Sequence, residues 1–190
     1  MTNAYFEGKT FQKIDFQEKI FILWHYEKCI FDRCNFSGID LSNRVFTECK
    51  FNNCNLSLIK LAGTELMNVQ FIDSKILGVS FEHCSKFLCS MSFENCILNL
   101  SSFFGLKIKK TEFKNSILHE VNFTKTDLSG SIFDNCDLSR SIFENTILEK
   151  VDFRTSWGFA IDPEKNMIKK AKFKTEGIVG LLHKYDIEIY

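Results

Sequence analysis

Proline is almost missing: one occurs among 190 residues, Pro163. Net charge is missing altogether, because 24 Lys and Arg balance 24 Asp and Glu. That balance removes the global field that steers basic proteins to nucleic acid or to an anionic membrane. No run approaches the ~18 uninterrupted apolar residues of a membrane span, and the opening MTNAYFEGKTFQKIDF carries no apolar signal core. The expectation is a cytoplasmic protein with no membrane partner, whose eight cysteines are reduced thiols. Also lacking are a phosphate-binding loop, a dinucleotide-binding glycine pattern, HExxH and GxSxG. The four histidines, His25, His83, His119 and His183, are scattered, and the carboxylates have no evident cleft to shift their pKa values. No catalytic residue, cofactor or metal site is expected.

What is present is phenylalanine, 21 copies, at a fixed interval. In SIFDNCDLSRSIFENTILEKVDF, Phe133, Leu138, Phe143, Leu148 and Phe153 fall five apart. On a helix, five steps of about 100° splay successive residues by roughly 140°. On a flat strand, residues five apart point to opposite faces. The remaining solution is a chain that changes direction once per five residues and keeps each large side chain inside a coil.

These large residues, the centres, run unbroken from Phe6 through Phe11, Phe16, Phe21, Tyr26 and onward to Phe81. The phase slips by two within EHCSKF, 82 to 87, and resumes from Leu88 through Phe93 and Leu98 to Phe153. Two before the centre stands a small or modest residue such as Cys34, Ser116, Thr126 or Val151, and one before is often Asn or Asp. Polar residues that suit turns follow the centre. In the second block Phe alternates with an aliphatic residue, so a coil of twenty stacks Phe on Phe. The residues after stacked centres, Glu94, Lys114, Asp134 and Arg154, alternate in sign at that spacing. Each could pair with its neighbours at about 4.8 Å, and Asn95, Asn115 and Asn135 beside them suggest a repeated turn.

The units CNFSG, CNLSL, VNFTK, TDLSG, CDLSR and VDFRT resemble the A(D/N)LXX unit of the pentapeptide-repeat family, over residues 4 to about 156. The resemblance implies an all-β solenoid, a right-handed quadrilateral β-helix of about seven to eight coils. Residues 1–157 are assigned to this body, with the register slip at 82–87, and residues 158–190 to a C-terminal cap with a turn, an extended stretch and a short helix. In the cap, Asp162-Pro163 marks the turn, MIKKAKF the extended stretch and TEGIVGLLHKY the helix, with Thr175 as N-cap. Ile178, Leu181, Leu182 and Tyr185 lie at helical spacing, either as an end cap or, as resembling members imply, as the interface of a homodimer. Five lysines between 165 and 174 read as a solvated face, since no aromatic residues suited to single-stranded nucleic acid are interleaved.

Cys29, Cys34, Cys49 and Cys54 are spaced C-x4-C-x14-C-x4-C, which superficially suits zinc. All four sit two before a centre, so they are read as inward-facing small hydrophobes.

A dry rod works by its outer surface. The expected function is a non-enzymatic, rigid protein-interaction scaffold with an unidentified protein partner and no direct contact with nucleic acid. The alternative rests on similarity in repeat and C-terminal layout to the quinolone-resistance members, the Qnr and MfpA types. It implies a DNA mimic that binds a type II topoisomerase (DNA gyrase) and gives fluoroquinolone protection. A mimic needs acidic surface, and Asp127, Asp134, Asp137, Glu144, Glu149 and Asp152 are the candidates. Folded at twenty per coil, together with Glu120, they form a belt over all four faces without a single-face stripe.

Overall fold

The computed structural model describes residues 5–18, 25–86 and 89–188; the centres Phe21 and Leu88 lie outside these. The reason for the five-residue period is visible in the backbone. Two residues after a centre, the chain enters the left-handed region: Asn95, Leu100, Gly105, Lys110, Asn115, Glu120, Lys125 and Gly130 all have φ between 49° and 72°. This conformation costs roughly 1–2 kcal/mol at non-glycine residues, and it recurs at corner after corner, with exceptions at His83, beside the register slip, and at Thr155. Asn recurs there, at Asn95, Asn115, Asn135 and Asn145, because a short polar side chain tolerates the left-handed region. The amide of Asn135 donates to Asn115 Oδ1 at 2.8 Å, linking one corner to the next.

Between corners the chain is too short for long strands. The elements are β1 (Tyr5–Glu7), β2 (Thr10–Gln12), β3 (His25–Glu27), β4 (Ile30–Asp32), β5 (Val45–Thr47), β6 (Lys50–Asn52), β7 (Glu65–Met67), β8 (Val69–Ile72), β9 (Met91–Glu94), β10 (Glu112–Lys114) and β11 (Ile132–Asp134). All pairings are parallel. Side one begins as β1-β3-β5-β7, and side two is the sheet β2-β4-β6-β8-β9-β10-β11. Single bridges build the other sides: Asp15–Asn35–Asn55–Lys75–Ile97–Ile117–Asp137–Trp157 on side three, and Asp40–Lys60 with Ser80–Ser102–Asn122–Ile142 on side four. Side one continues as Lys107–Asp127–Ile147–Met167. The result is a four-sided β-solenoid.

Register confirms both the coil length and the slip. Phe51 pairs with Phe71, twenty residues on, and Phe71 pairs with Phe93, twenty-two on; Phe93 to Phe113 returns to twenty. The two extra residues follow a 3-10 turn at Phe81–His83, and Phe81 itself stays fully buried. The strands of side two span six steps (β2 to β11), short of the seven to eight coils expected. Beyond β11 the ladder continues only through single bridges, Ile132–Asp152 and Asp152–Lys172, too short to count as strands.

The interior is two aromatic ladders. On side two, Phe93, Phe113, Phe133 and Phe153 stack with centroids 4.6–5.1 Å apart and planes within 7°. On the opposite wall Phe81, Phe103, Phe123 and Phe143 stack likewise at 4.6–5.3 Å. The two ladders meet edge to face across the axis, as at Phe113–Phe123, 6.0 Å and 84°; these are the two preferred geometries of aromatic pairs. Leu98, Ile108, Leu118, Leu128, Leu138 and Leu148 fill the remaining walls. Where the Phe alternation lapses, between Leu41 and Phe71, a void of about 10 Å³ is left, lined only by apolar residues. A site that small and apolar stays dry.

The small residue two before each centre does more than fit. Thr64, Ser74, Ser101, Thr126 and Thr146 donate their hydroxyls to the carbonyls of Leu41, Phe51, Ile76, Phe103 and Phe123 in the coil below, at 2.8–3.1 Å. Cys29, Cys49, Cys54 and Cys96 place their thiols on Phe6, Tyr26, Phe31 and Phe71 carbonyls in the same way, at 3.3–3.4 Å. Where the position holds Ser, Thr or Cys it satisfies a buried carbonyl, whereas Val69, Val79, Val121 and Val151 fill it by packing alone. Burial pushes the thiols of Cys49, Cys96 and Cys136 up to about 12, which leaves them as packing and donor groups, poor nucleophiles or ligands.

Candidate functional site

With the interior filled, the surfaces available to partners are the four sides and the C-terminal end. The expected alternating column on side two forms only in part. Lys114 Nζ reaches Glu94 at 2.8 Å. Arg154, however, binds Asp152 on its own coil with both carboxylate oxygens, leaving Asp134 to accept from Thr155 Oγ1 at 2.9 Å. A neighbour two residues away needs less chain ordering than one on the next coil, and exposed pairs differ by only about 1 kcal/mol.

The candidate acids lie on all four sides: Asp127 and Glu149 on side one, Asp134 and Asp152 on side two, Asp137 on side three and Glu144 on side four. Most are answered locally. Asp127 is paired with Lys109 at 3.1 Å, Glu144 with Lys165 at 3.7 Å, and Asp152 with Arg154 at 2.8 Å and Lys172 at 3.6 Å. The Arg154 guanidinium holds the Asp152 carboxyl below the usual range. Asp137 joins His119 Nε2 at 2.8 Å and Ser139 Oγ at 2.5 Å. Burial pushes its carboxyl up, but bonds from Ser139 and His119 prevail and hold it low. Ser, His and Asp meet here in the wrong order for nucleophilic catalysis, since the hydroxyl donates to the carboxylate instead of to the imidazole. The cluster ties neighbouring coils together.

At the C-terminal end the coil continues past Phe153. Met167 bridges Ile147, Lys172 bridges Asp152, and Phe173 stacks on Phe153 at 5.4 Å. The helical segment is a 3-10 turn, Thr175–Ile178, then one turn of helix, α1 (Val179–Leu182), then a second 3-10 turn, His183–Tyr185. Thr175 is the first residue of the turn, and the N-cap position expected of it falls to Lys174, whose side chain makes no capping hydrogen bond. The segment docks on the rod through glycine: a Cβ on Gly177 would lie 3.1 Å from the Phe159 ring, and one on Gly180 only 2.4 Å from the Phe159 carbonyl oxygen. The Ile161 amide donates to the Gly180 carbonyl at 2.9 Å, and Leu181 packs against the core. Of the four residues read as one helical stripe, Leu181 faces the rod and Leu182 is half-buried. Ile178 and Tyr185 are 44% and 54% exposed, alongside Val179 and Ile187. The docking glycines and Phe159 were not legible as contacts, because they are neither apolar-periodic nor part of the repeat. A cleft of about 770 Å³ opens beside the docked segment, bordered by Arg140, Arg154, Trp157, Phe159 and His183.

Lys184 clamps the segment, donating to Asp162 at 2.9 Å and Glu164 at 2.7 Å. The ammonium holds the Asp162 carboxyl below its ordinary value. A depressed folded-state pKa contributes stability above the unfolded value, lost as pH falls through the folded one. The protection factor of the Ile161 amide, its exchange rate corrected for the intrinsic rate at each pH, should therefore hold at neutral pH and fall as pH drops below the ordinary carboxylate range of about 4. Protection that held constant to pH 2 would show that apolar docking alone retains the segment.

Among the described residues, no group of three or more His, Cys, Asp or Glu is placed to hold a metal ion, and no helix is long and apolar enough to cross a membrane. No curated protein matches the chain in sequence. The family profile "Pentapeptide repeat region" matches residues 44–123 and 74–153. Among solved structures, a trypsin-treated form of QnrB1, described as a plasmid-mediated fluoroquinolone resistance protein, aligns with a TM-score of 0.75 at 17% identity, covering 100% of this chain and 92% of that one. A second trypsin-treated QnrB1 aligns at 0.62 and 18%, covering 98% and 100%. Repeat, register and family profile agree: the chain belongs to the pentapeptide-repeat family.

Proposed function

We propose that this protein is a non-catalytic scaffold that holds a protein partner against its rigid outer faces. The observation that carries the reading is the sealed axis. Ring stacks and aliphatic walls fill the coil from Phe31 to Phe153, so no substrate chamber exists within it among the described residues. Stiffness follows from close packing and from ladders that join every coil to the next. Residues 158–190 are the cap of this body, and Ile178, Val179 and Tyr185 on the cap are the surface through which a homodimer would form. The test is affinity capture from the native host with cross-link mapping: a partner cross-linked to the sides supports the scaffold, and reproducible turnover abolished by a surface mutation overturns it. Light scattering on the Ile178→Glu/Tyr185→Glu variant tests the dimer, which should dissociate to monomer; an intact dimer would place the interface elsewhere.

A topoisomerase-directed role is the second reading, favoured by a fold shared with QnrB1 along the whole chain. Against it stand the neutral net charge and the local pairing of most candidate acids. Gyrase supercoiling with and without a fluoroquinolone decides it: protection at micromolar protein supports this reading, and no effect removes it.

A further inference from the structure

Side one of the upper coils consists of four stacked segments, KIKK (107–110), DLSG (127–130), ILEK (147–150) and MIKK (167–170). Folding thus brings two lysine clusters, sixty residues apart in sequence, onto one side within three coil steps, about 14 Å. Lys110, Gly130, Lys150 and Lys170 occupy successive corners with φ of 57–72°, and the stem of Lys110 lies over Gly130, 3.5 Å from where a Cβ would be. Of the six lysines only Lys109 has a carboxylate partner, Asp127 at 3.1 Å. Lys107, Lys110, Lys150, Lys169 and Lys170 are exposed, and among the described residues none is in an ion pair. Among the described residues of these four segments, Glu149 is the one acid without an ion pair. A chain with zero net charge therefore concentrates uncompensated positive charge along one ridge. Beside the ridge runs an apolar strip, half-buried Ile147 and Met167, the latter 56% exposed.

We propose that this ridge is the docking face for an extended acidic segment of a partner protein, one that interleaves Asp or Glu with apolar residues; this rests on the scaffold reading above. Carboxylates answer the lysine corners, and the interleaved apolar side chains cover Ile147 and Met167. About 14 Å accommodates four to five residues of extended chain at about 3.3 Å each. Two features of these four segments favour protein over nucleic acid. KIKK, DLSG, ILEK and MIKK hold no arginine to fork onto phosphates and no aromatic residue on which a base would stack. The strip of Ile147 and Met167 has no use against a phosphate backbone.

The experiment is fluorescence anisotropy with a labelled synthetic peptide of alternating Glu and Leu, titrated with the full chain. The peptide should bind at about 50 mM salt and weaken as salt rises to about 300 mM. The Lys110→Glu/Lys150→Glu/Lys170→Glu variant should weaken binding about tenfold or more. That variant is expected to fold, because Glu48 and Glu120 already occupy equivalent corners with φ of 53° and 57°; unchanged circular dichroism checks this. Lys50→Glu/Lys60→Glu/Lys75→Glu, which alters other sides, should bind like the parent. Absence of peptide binding at low salt, equal loss in both variants, or tighter binding of a DNA duplex or of phosphatidylserine vesicles overturns the proposal. If the peptide fails while captured partners still cross-link to other sides, only this proposal falls and the scaffold stands.

Discussion

Phe113→Ala is expected to cost 3–5 kcal/mol, the range for truncating a fully buried Phe, and to break the cooperativity of unfolding. Phe113 is fully buried, stacked between Phe93 at 5.1 Å and Phe133 at 4.6 Å, with Phe103 and Phe123 edge-on at 6.1 and 6.0 Å. Removing the ring takes away four aromatic contacts and leaves a cavity that the hydrogen-bonded ladder on side two cannot close. In a solenoid each coil contacts only its neighbours, so stability is a chain of nearest-neighbour terms. A defect in the middle weakens the link between two halves that each retain their own packing. Urea unfolding followed by far-ultraviolet circular dichroism should show a lower midpoint and a broadened or split transition. Phe11→Ala serves as comparison: that ring is only partly buried, near the other end, and should cost markedly less. A loss below about 1 kcal/mol at Phe113 would contradict the tight axial packing described here.

Gly180→Val is expected to undock the C-terminal segment. Its Cβ would stand 2.4 Å from the Phe159 carbonyl oxygen and under 3 Å from two ring atoms. The carbonyl belongs to a backbone that cannot swing aside as a flexible side chain would. Overpacking of this kind costs typically 1–3 kcal/mol, and here the whole segment leaving is an easier response than compression of the coil. Three contacts would go together: the Ile161–Gly180 hydrogen bond, the Leu181 contact and the Lys184 clamp. Phe159 and Phe173 would then be exposed at an open end. Increased dye binding, lost exchange protection of Ile161 and a melting temperature several degrees lower are the expected readouts, at about 2–4 °C per kcal/mol for a chain of this size. Glu176→Gln, exposed on the same segment, should change stability by less than about 0.5 kcal/mol. Unaltered protection in Gly180→Val would mean the segment does not dock through its glycines.

The body of the rod was legible because its signal is redundant. Phe93, Phe113, Phe133 and Phe153 repeat one environment, and an error at any one would be corrected by the others. The two-residue slip was legible for the same reason, since every later centre reports the new phase. The small residue two before the centre was read as filling space, whereas Thr126 and Cys96 also donate to carbonyls of the coil below. The cap was only half legible. Helical spacing grouped Ile178, Leu181, Leu182 and Tyr185, yet one turn of α1 between two 3-10 turns rotates them apart, and the docking face is glycine.

By itself the sequence determined which side chains point inward, where the chain turns and where its register shifts. A five-residue period admits one inside and one outside, and burial of apolar rings is a large, non-directional term that leaves little choice. Tertiary structure decided what the outward residues do: that Arg154 takes Asp152 over Asp134, that Gly180 seats on Phe159, and that Lys110 and Lys170 share a ridge. Those outcomes depend on competing neighbours in space, and for the exposed ion pairs on differences of about 1 kcal/mol or less, a scale at which pattern along the chain carries no information.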